Sequence, residues 1–171
     1  MSCLAEEQLC ALVSRRNGES PIGSASRYER LLLLEFPLPW PRNALQAPQL
    51  RADVRQVLAD LESSPYPCSR LALQSDPYYS RPNEVRVVYF RRPGGRFADF
   101  AKLELSVPEH ALAGTLRALL LEPDEAVWRP YRQSSAHLRD ILVCTHETRD
   151  VCLLRSLRGG RLSGAPRHAR P

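Results

Sequence analysis

A run of consecutive leucines near the start of the chain places the strongest limit on its fold. Leu31–Leu34 is a continuous apolar run within the segment Tyr28–Phe36. Apolar side chains at successive positions are typical of a central strand that is covered on both of its faces. The segment Pro37–Pro41 then ends the strand, since proline removes a backbone donor, and Trp40 within it is predicted to pack on the core. The sequence therefore favours an α/β domain, in which both faces of this strand are covered.

The following segments alternate between helical and extended patterns. Apolar residues at helical spacing predict a helix over residues 48–63, with Leu50, Val54, Val57, Leu58 and Leu61 on one face. Strands are predicted at Ser69–Gln74, Glu84–Arg91 and Phe97–Leu105, the last two joined as a hairpin by a turn over residues 92–96. Pro108 is expected in the first turn of a second helix, which presents Leu112, Leu116, Leu119 and Leu120, and residues 122–136 are expected to be a connector.

This order of elements, β-α-β followed by a β-hairpin and a helix, predicts a thioredoxin-like α/β unit over about residues 28–121. No Cys-x-x-Cys pair follows its first strand, so dithiol exchange of the thioredoxin type is not expected there. A second apolar run at Ile141–Val143 indicates the first strand of another unit of the same kind.

The charge of the chain is concentrated at one end. The net charge is +5, and five arginines without any acidic residue follow Leu154. Without them the basic and acidic residues are equal in number, so the predicted partners do not include nucleic acid, and the tail is interpreted as a solvated segment. No apolar run reaches the roughly 18 residues of a membrane span, and no signal peptide is evident, which predicts a cytoplasmic protein without a membrane partner.

The segment Asp140–Cys152 carries most of the reactive side chains. Its apolar start leads into a polar loop with Cys144, His146 and Cys152. Ligand sites in open α/β sheets lie outside the carboxyl ends of the strands, so a cysteine delivered there favours metal or redox chemistry. The five cysteines of the chain are irregularly spaced, which argues against a disulfide framework in a reducing compartment.

Three segments together resemble the sucrase/ferredoxin-like family of thioredoxin-like ferredoxins. They are Asn17–Ala25, Leu34–Pro41 and Leu142–Cys152, and their order and separation also match. The resemblance covers residues 8–154. It implies a [2Fe-2S] cluster in the C-terminal half, with Cys144 and Cys152 as metal ligands and cofactor-binding residues, and His146 as a residue that supports a ligand from outside the coordination shell.

The resemblance also defines how the chain is divided. The predicted parts are an N-terminal helix and loop (1–27), the thioredoxin-like unit with its connector (28–136), the first strand and cysteine loop of an incomplete ferredoxin-like unit (137–154), and a disordered Arg-rich tail (155–171). The family's two histidine ligands, in a His-x-Gly-Gly-His type of segment, have no counterpart here, and the second cysteine lies one position early. These departures predict a chain that is truncated in its C-terminal half.

Three functions remain open at this stage. One is electron transfer through a [2Fe-2S] cluster, whose incomplete ligand set would be closed by a homodimer that bridges the cluster, with an unidentified redox partner. Another is thiol redox chemistry at Cys144 and Cys152. The third is a non-catalytic remnant that acts as a binding module. No paired general acid and base or Ser-His-Asp set is evident, so an electron carrier or an inactive remnant is favoured over an enzyme.

Overall fold

A computed structural model describes residues 15–18, 28–41, 43–76, 78–94, 99–135, 140 and 142 of the chain. The chain divides into two compact units, one comprising residues 26–141 and the other residues 1–25 with 142–171. The elements below all belong to the first of these units. No helix among the described residues is both long enough and apolar enough to cross a membrane.

The unit is a mixed α/β structure with four strands and three α-helices in its described part. The strands are β1 (Arg30–Glu35), β2 (Ser69–Leu73), β3 (Glu84–Arg91) and β4 (Ala101–Pro108). The helices are α1 (Ala52–Glu62), α2 (Leu112–Leu120) and α3 (Glu125–Trp128), and short 3-10 turns occupy Ala44–Gln46, Glu109–Ala111 and Arg129–Tyr131.

The four strands form one mixed sheet in the order β2-β1-β3-β4. β1 and β2 are parallel, with Leu33 beside Leu71, and α1 connects them. β3 runs antiparallel to β1 and to β4, so that Val88 lies between Leu33 and Glu104. The leucine run therefore occupies an interior strand, as its continuous apolar pattern predicts.

One face of the sheet packs against α1 and α2 and forms the main core. Leu32 and Leu34 of β1 have no exposed surface, and α1 contributes the buried residues Val54, Val57, Leu58 and Leu61. Burying one such side chain stabilises a fold by about 1.5–3 kcal/mol. Trp40 also lies in this core, where its indole N–H donates to the carbonyl oxygen of Phe36 at 3.2 Å, which confirms its predicted packing.

The other face of the sheet combines apolar and charged side chains. Leu31, Leu33 and Val88 form a second buried cluster there. Further along the same face lie Arg86 and Glu104, because residues two apart in a strand point to the same side. This face therefore buries ion pairs as well as hydrocarbon.

Two boundaries differ from the sequence-based expectations. Pro108 does not open a helix but ends β4, where it lies opposite Glu84. β4 is an edge strand of the described sheet, and proline is tolerated there because no further strand requires its missing N–H. The expected connector after residue 121 contains α3, whose N-terminus is capped by Asp124, with its carboxylate accepting from the Ala126 N–H.

Of the strand predicted at Ile141–Val143, only Leu142 is among the described residues. Leu142 is in no strand and is half exposed, which does not fit a buried strand at this position. Ile141 and Val143 lie outside the described residues, as do most of the predicted N-terminal helix and the whole of the Arg-rich tail.

Candidate functional site

A pocket opens at the carboxyl ends of the parallel strands β1 and β2. Its volume is about 450 Å³, within the range of small-molecule sites. Four parts of the chain surround it: the end of β1, the start of α1, the β2–β3 loop and the turn that precedes α2. The lining residues that carry the argument are Glu35, Phe36, Arg51, Val54, Arg81, Glu109 and Leu112.

The loop after β1 builds one wall of the pocket and is fixed by several contacts. Phe36 packs against Trp40 with their ring centroids 5.4 Å apart. The Gln49 side-chain amide donates to the carbonyl oxygen of Pro39 at 2.8 Å, and the Leu38–Pro39 peptide bond is cis. These contacts tie the proline-rich segment to the residues before α1, so this wall is formed without a ligand.

The start of α1 places a positive charge at the pocket but also neutralises it. The Arg51 guanidinium donates to both Asp53 carboxylate oxygens, at 3.1 and 2.7 Å, and to the backbone carbonyl of Glu109 at 3.3 Å. The hydrogen bonds from Arg51 lower the pKa of Asp53, and the same bonds raise the pKa of Arg51. The Arg51 side chain therefore links the start of α1 to the turn before α2.

The β2–β3 loop forms the opposite wall. Its backbone turns around Asp76, whose carboxylate accepts from the Tyr78 N–H at 2.8 Å, and Asn83 has a positive φ of 61°. The Asn83 carbonyl accepts from the Glu109 N–H at 3.1 Å, which joins this wall to the turn before α2. Arg81 lies on the rim and pairs with Glu84 at 3.8 Å.

Glu35 is the unusual residue of the pocket. It is 5% exposed, yet within the described part of the chain its side chain makes no hydrogen bond or ion pair. It shares a sheet face with Leu31 and Leu33 and comes directly after the leucine run. Its side chain therefore points to the opposite face of the sheet from Val54 and Leu112, which form a wall of the pocket.

The pocket is not predicted by the sequence patterns, although the position of Glu35 carries one signal. Glu35 is an acidic residue between Leu34 and Phe36, in an otherwise apolar run. An acidic residue in this position either is buried together with its apolar neighbours or lies where the strand ends. The positions of Arg51, Arg81 and Glu109 could not be inferred in this way, since they come together only through the fold.

The cysteine site predicted from the sequence is not tested by the geometry. Cys144, His146 and Cys152 lie outside the described residues. The one described cysteine, Cys68, is half-buried and free, and burial raises the pKa of its thiol. A thiol of this kind is poorly suited to bind a metal or to react.

Asp140, at the start of the cysteine segment, is nevertheless held by an ion pair whose partner, Lys102, is covered. The Lys102 ammonium, with its side chain 5% exposed, lies 2.7 Å from the Asp140 carboxylate and 3.2 Å from that of Glu104. Arg86 also donates to Glu104. Burial acts to raise the pKa of Glu104, but the hydrogen bond and the positive charge of Arg86 outweigh it, so the pKa is lowered.

The described residues do not contain a ligand set for a metal centre. Among them, no group of three or more His, Cys, Asp or Glu side chains is arranged to hold a metal ion. Two cysteines from the predicted site are also fewer than the four protein ligands of a [2Fe-2S] cluster. The described residues by themselves therefore do not supply a cluster site.

Comparisons with known proteins returned no relative. No family model, curated protein or solved structure matches the chain.

Proposed function

We propose that residues 26–141 form a thioredoxin-like binding unit in a protein of the sucrase/ferredoxin-like family. The strand order β2-β1-β3-β4, with a β1-α1-β2 crossover and an antiparallel pair that precedes α2, supports the thioredoxin-like assignment. The family assignment rests on the three sequence segments described above.

The observation that carries the binding function is the pocket at the carboxyl ends of β1 and β2. Ligands of α/β sheets bind at this edge. The pocket combines apolar walls with a few polar groups, which is the composition of a small-molecule site. None of the described lining residues is a cysteine, so the proposal at this position is binding and not disulfide exchange.

The test compares two tryptophan substitutions in neighbouring residues of the full chain. Ser75 lines the pocket, whereas the adjacent Gln74 is exposed and does not. Ligand-observed NMR with a set of neutral, cationic and anionic aromatic fragments should detect binding to the unaltered chain and to Gln74→Trp. Binding should be lost in Ser75→Trp, where the indole fills the mouth. Equal binding to both variants, or none to the unaltered chain, would refute the proposal.

A second candidate function is electron transfer through a [2Fe-2S] cluster with Cys144 and Cys152 among its ligands. The favouring observation is the ion pair between Lys102 and Asp140, because it fixes to the sheet the residue four positions before Cys144. The cluster would supply a one-electron centre. With two cysteines per chain, a complete ligand shell requires a homodimer or an added thiol, and the redox partner is a separate protein.

Anaerobic expression with iron and sulfide tests this candidate. A cluster gives absorption between about 300 and 600 nm with about two irons per cluster, and the bands should be lost in Cys144→Ser but kept in Cys68→Ser. An iron-free protein that gains a Cys144–Cys152 disulfide on oxidation would instead support thiol redox chemistry. An iron-free protein without that disulfide would leave the binding unit as the function.

A further inference from the structure

We infer that two copies of this chain pair through β2, edge to edge and antiparallel, about a two-fold axis at Leu71. This pairing goes beyond the proposed binding function and does not depend on the pocket. Three observations carry it: the direction of the backbone groups of β2, the exposed side chain of Leu71, and the way in which the charge of Arg70 is compensated.

The two edges of the described sheet differ. The outer side of β4 is met by the segment after α3, where the Gln133 N–H donates to the carbonyl oxygen of Glu104 at 2.8 Å and Arg132 forms a β-bridge with Leu105. β2 pairs with β1 on one side, and no segment among the described residues pairs with its other side. β2 also contains neither the proline nor the lysine that natural edge strands use against pairing. An edge of this kind can bind a further strand.

The hydrogen bonds to β1 determine which backbone groups of β2 are open. The Phe36 N–H donates to the carbonyl oxygen of Leu73 at 3.1 Å, so the backbone groups of Leu73 are directed at β1. Successive residues of a strand direct their N–H and C=O to opposite sides. The groups of Leu71 are therefore also directed at β1, whereas those of Arg70 and Ala72 are directed outward.

These open groups define a register for an antiparallel pair. Residues that exchange both of their hydrogen bonds lie directly opposite each other, so Arg70 of one copy lies opposite Ala72 of the other, which gives about four hydrogen bonds in all. Leu71 then lies on the two-fold axis, opposite the same residue of the second copy, with the two Cα atoms about 4.5 Å apart. The Leu71 side chain is 43% exposed, and this contact would cover it.

The charge of the strand fits the register centred on Leu71. Arg70 is the one charged residue of β2, and its guanidinium donates to the Leu58 carbonyl oxygen and pairs with the Glu62 carboxylate. Its side chain is 18% exposed, so it lies along α1 and does not extend across the edge. A register centred on Arg70 would place two arginines opposite each other, and one centred on Ala72 would extend beyond the end of β2.

The pairing would make β2 an interior strand of one sheet that is shared by two copies. No cysteine lies in β2, so the contact requires neither a cluster nor a disulfide. Because one short strand per copy contributes the backbone bonds, we expect a reversible dimer with a dissociation constant in the micromolar range.

The first experiment measures the mass of the full chain by sedimentation equilibrium, with a reductant and without iron, at concentrations up to about 200 µM. The unaltered chain should approach twice its mass of 19.3 kDa. Leu71→Arg places two positive charges at the axis and should raise the dissociation constant at least tenfold. Val127→Arg is the matched control, because Val127 of α3 is exposed to a similar extent, and it should dimerise like the unaltered chain.

The second experiment tests the register with cysteines at neighbouring positions. Leu71→Cys places a thiol opposite the same position of the second copy, at a Cα separation that a disulfide can span. Ala72→Cys places it opposite Arg70 instead. Diamide, which takes up the two thiol hydrogens, should link the copies through position 71 in the first variant and not through position 72 in the second. Peptide mass mapping distinguishes these links from those of the native cysteines.

Each outcome has a distinct meaning. An unaltered chain that stays monomeric at the highest concentration would overturn the pairing. Dimers of all three chains, or loss of the dimer in Val127→Arg as well, would place the contact elsewhere and overturn it too. If Leu71→Arg fails to fold, the cysteine variants decide, since equal linking at both positions, or none at position 71, contradicts the register. The Ser75→Trp comparison tests the pocket separately from all of these results.

Discussion

Two buried glutamates on the same face of the sheet differ in one respect, which is their partners. Glu104 is 9% exposed and lies between Arg86 and Lys102, whereas Glu35 is 5% exposed and has no side-chain partner in the described structure. Burial alone therefore does not show whether a carboxylate is held by an ion pair. The difference lies in whether the protein itself supplies the opposite charge.

The ion pairs around Glu104 also connect distant parts of the chain. Lys102 bridges Glu104 of its own strand to Asp140, which comes after the connector. Glu35, in contrast, lies at the carboxyl end of β1, where four parts of the chain meet. Removal of the charge at each position should thus have opposite consequences for stability.

The largest effect is expected from Glu104→Gln. The substitution leaves Lys102 and Arg86 buried with one carboxylate fewer, and breaking a buried pair in this way costs about 3–5 kcal/mol. Denaturant unfolding at pH 7 measures the loss, with Glu29→Gln as the exposed control. A loss below about 1 kcal/mol would show that the pairing of Glu104 does not matter for stability.

Acid should remove the same contribution from the unaltered chain. The pKa of Glu104 is lowered in the folded state, so its stabilisation is complete above the ordinary glutamate pKa of 4.5 and is lost as the pH falls through the folded value. The difference in unfolding free energy between the unaltered chain and Glu104→Gln should therefore shrink below about pH 4.5. A difference that stays constant between pH 7 and pH 3 would contradict this assignment.

Glu35→Gln should raise the unfolding free energy, whereas Glu104→Gln lowers it, and the change should be smaller. Since Glu35 is 5% exposed and has no partner among the described side chains, replacing it with a neutral side chain of the same shape should raise the unfolding free energy by about 1 kcal/mol at pH 7. The measurement is denaturant unfolding in the absence of ligand. A destabilisation of similar size would mean that Glu35 has a partner, and the contrast with Glu104 would then fail.

Several strands and helices of the fold could be predicted from the sequence. β3 and the core face of α1 follow from local patterns, the alternation of Val85 and Val87 in one case and the helical spacing of Val54 and Leu58 in the other. These predictions are confirmed because a strand or an amphipathic helix is encoded within about ten neighbouring residues.

The site could not be predicted in the same way. Glu35 and Glu109 line one pocket although 74 positions separate them in the chain. Lys102, in an alternating strand, resembles a solvent-facing residue, yet its side chain is 5% exposed and pairs with Asp140, 38 positions later in the chain. The cysteine site at Cys144 and Cys152 stays a prediction, as it lies outside the described residues.

The smallest effect is expected from an exposed ion pair that offers a control for the buried one. Arg117 of α2 lies 2.7 Å from Asp60 of α1, with both side chains about one third or more exposed. Water screens such a pair, so Asp60→Asn should lower the unfolding free energy only slightly, and 1 M salt should remove the difference. The Glu104→Gln difference should persist in the same salt, because a buried pair is screened much less. If salt reduced both differences equally, then Glu104 would behave as a surface residue, and the distinction between a paired structural carboxylate and the unpaired Glu35 would lose its physical basis.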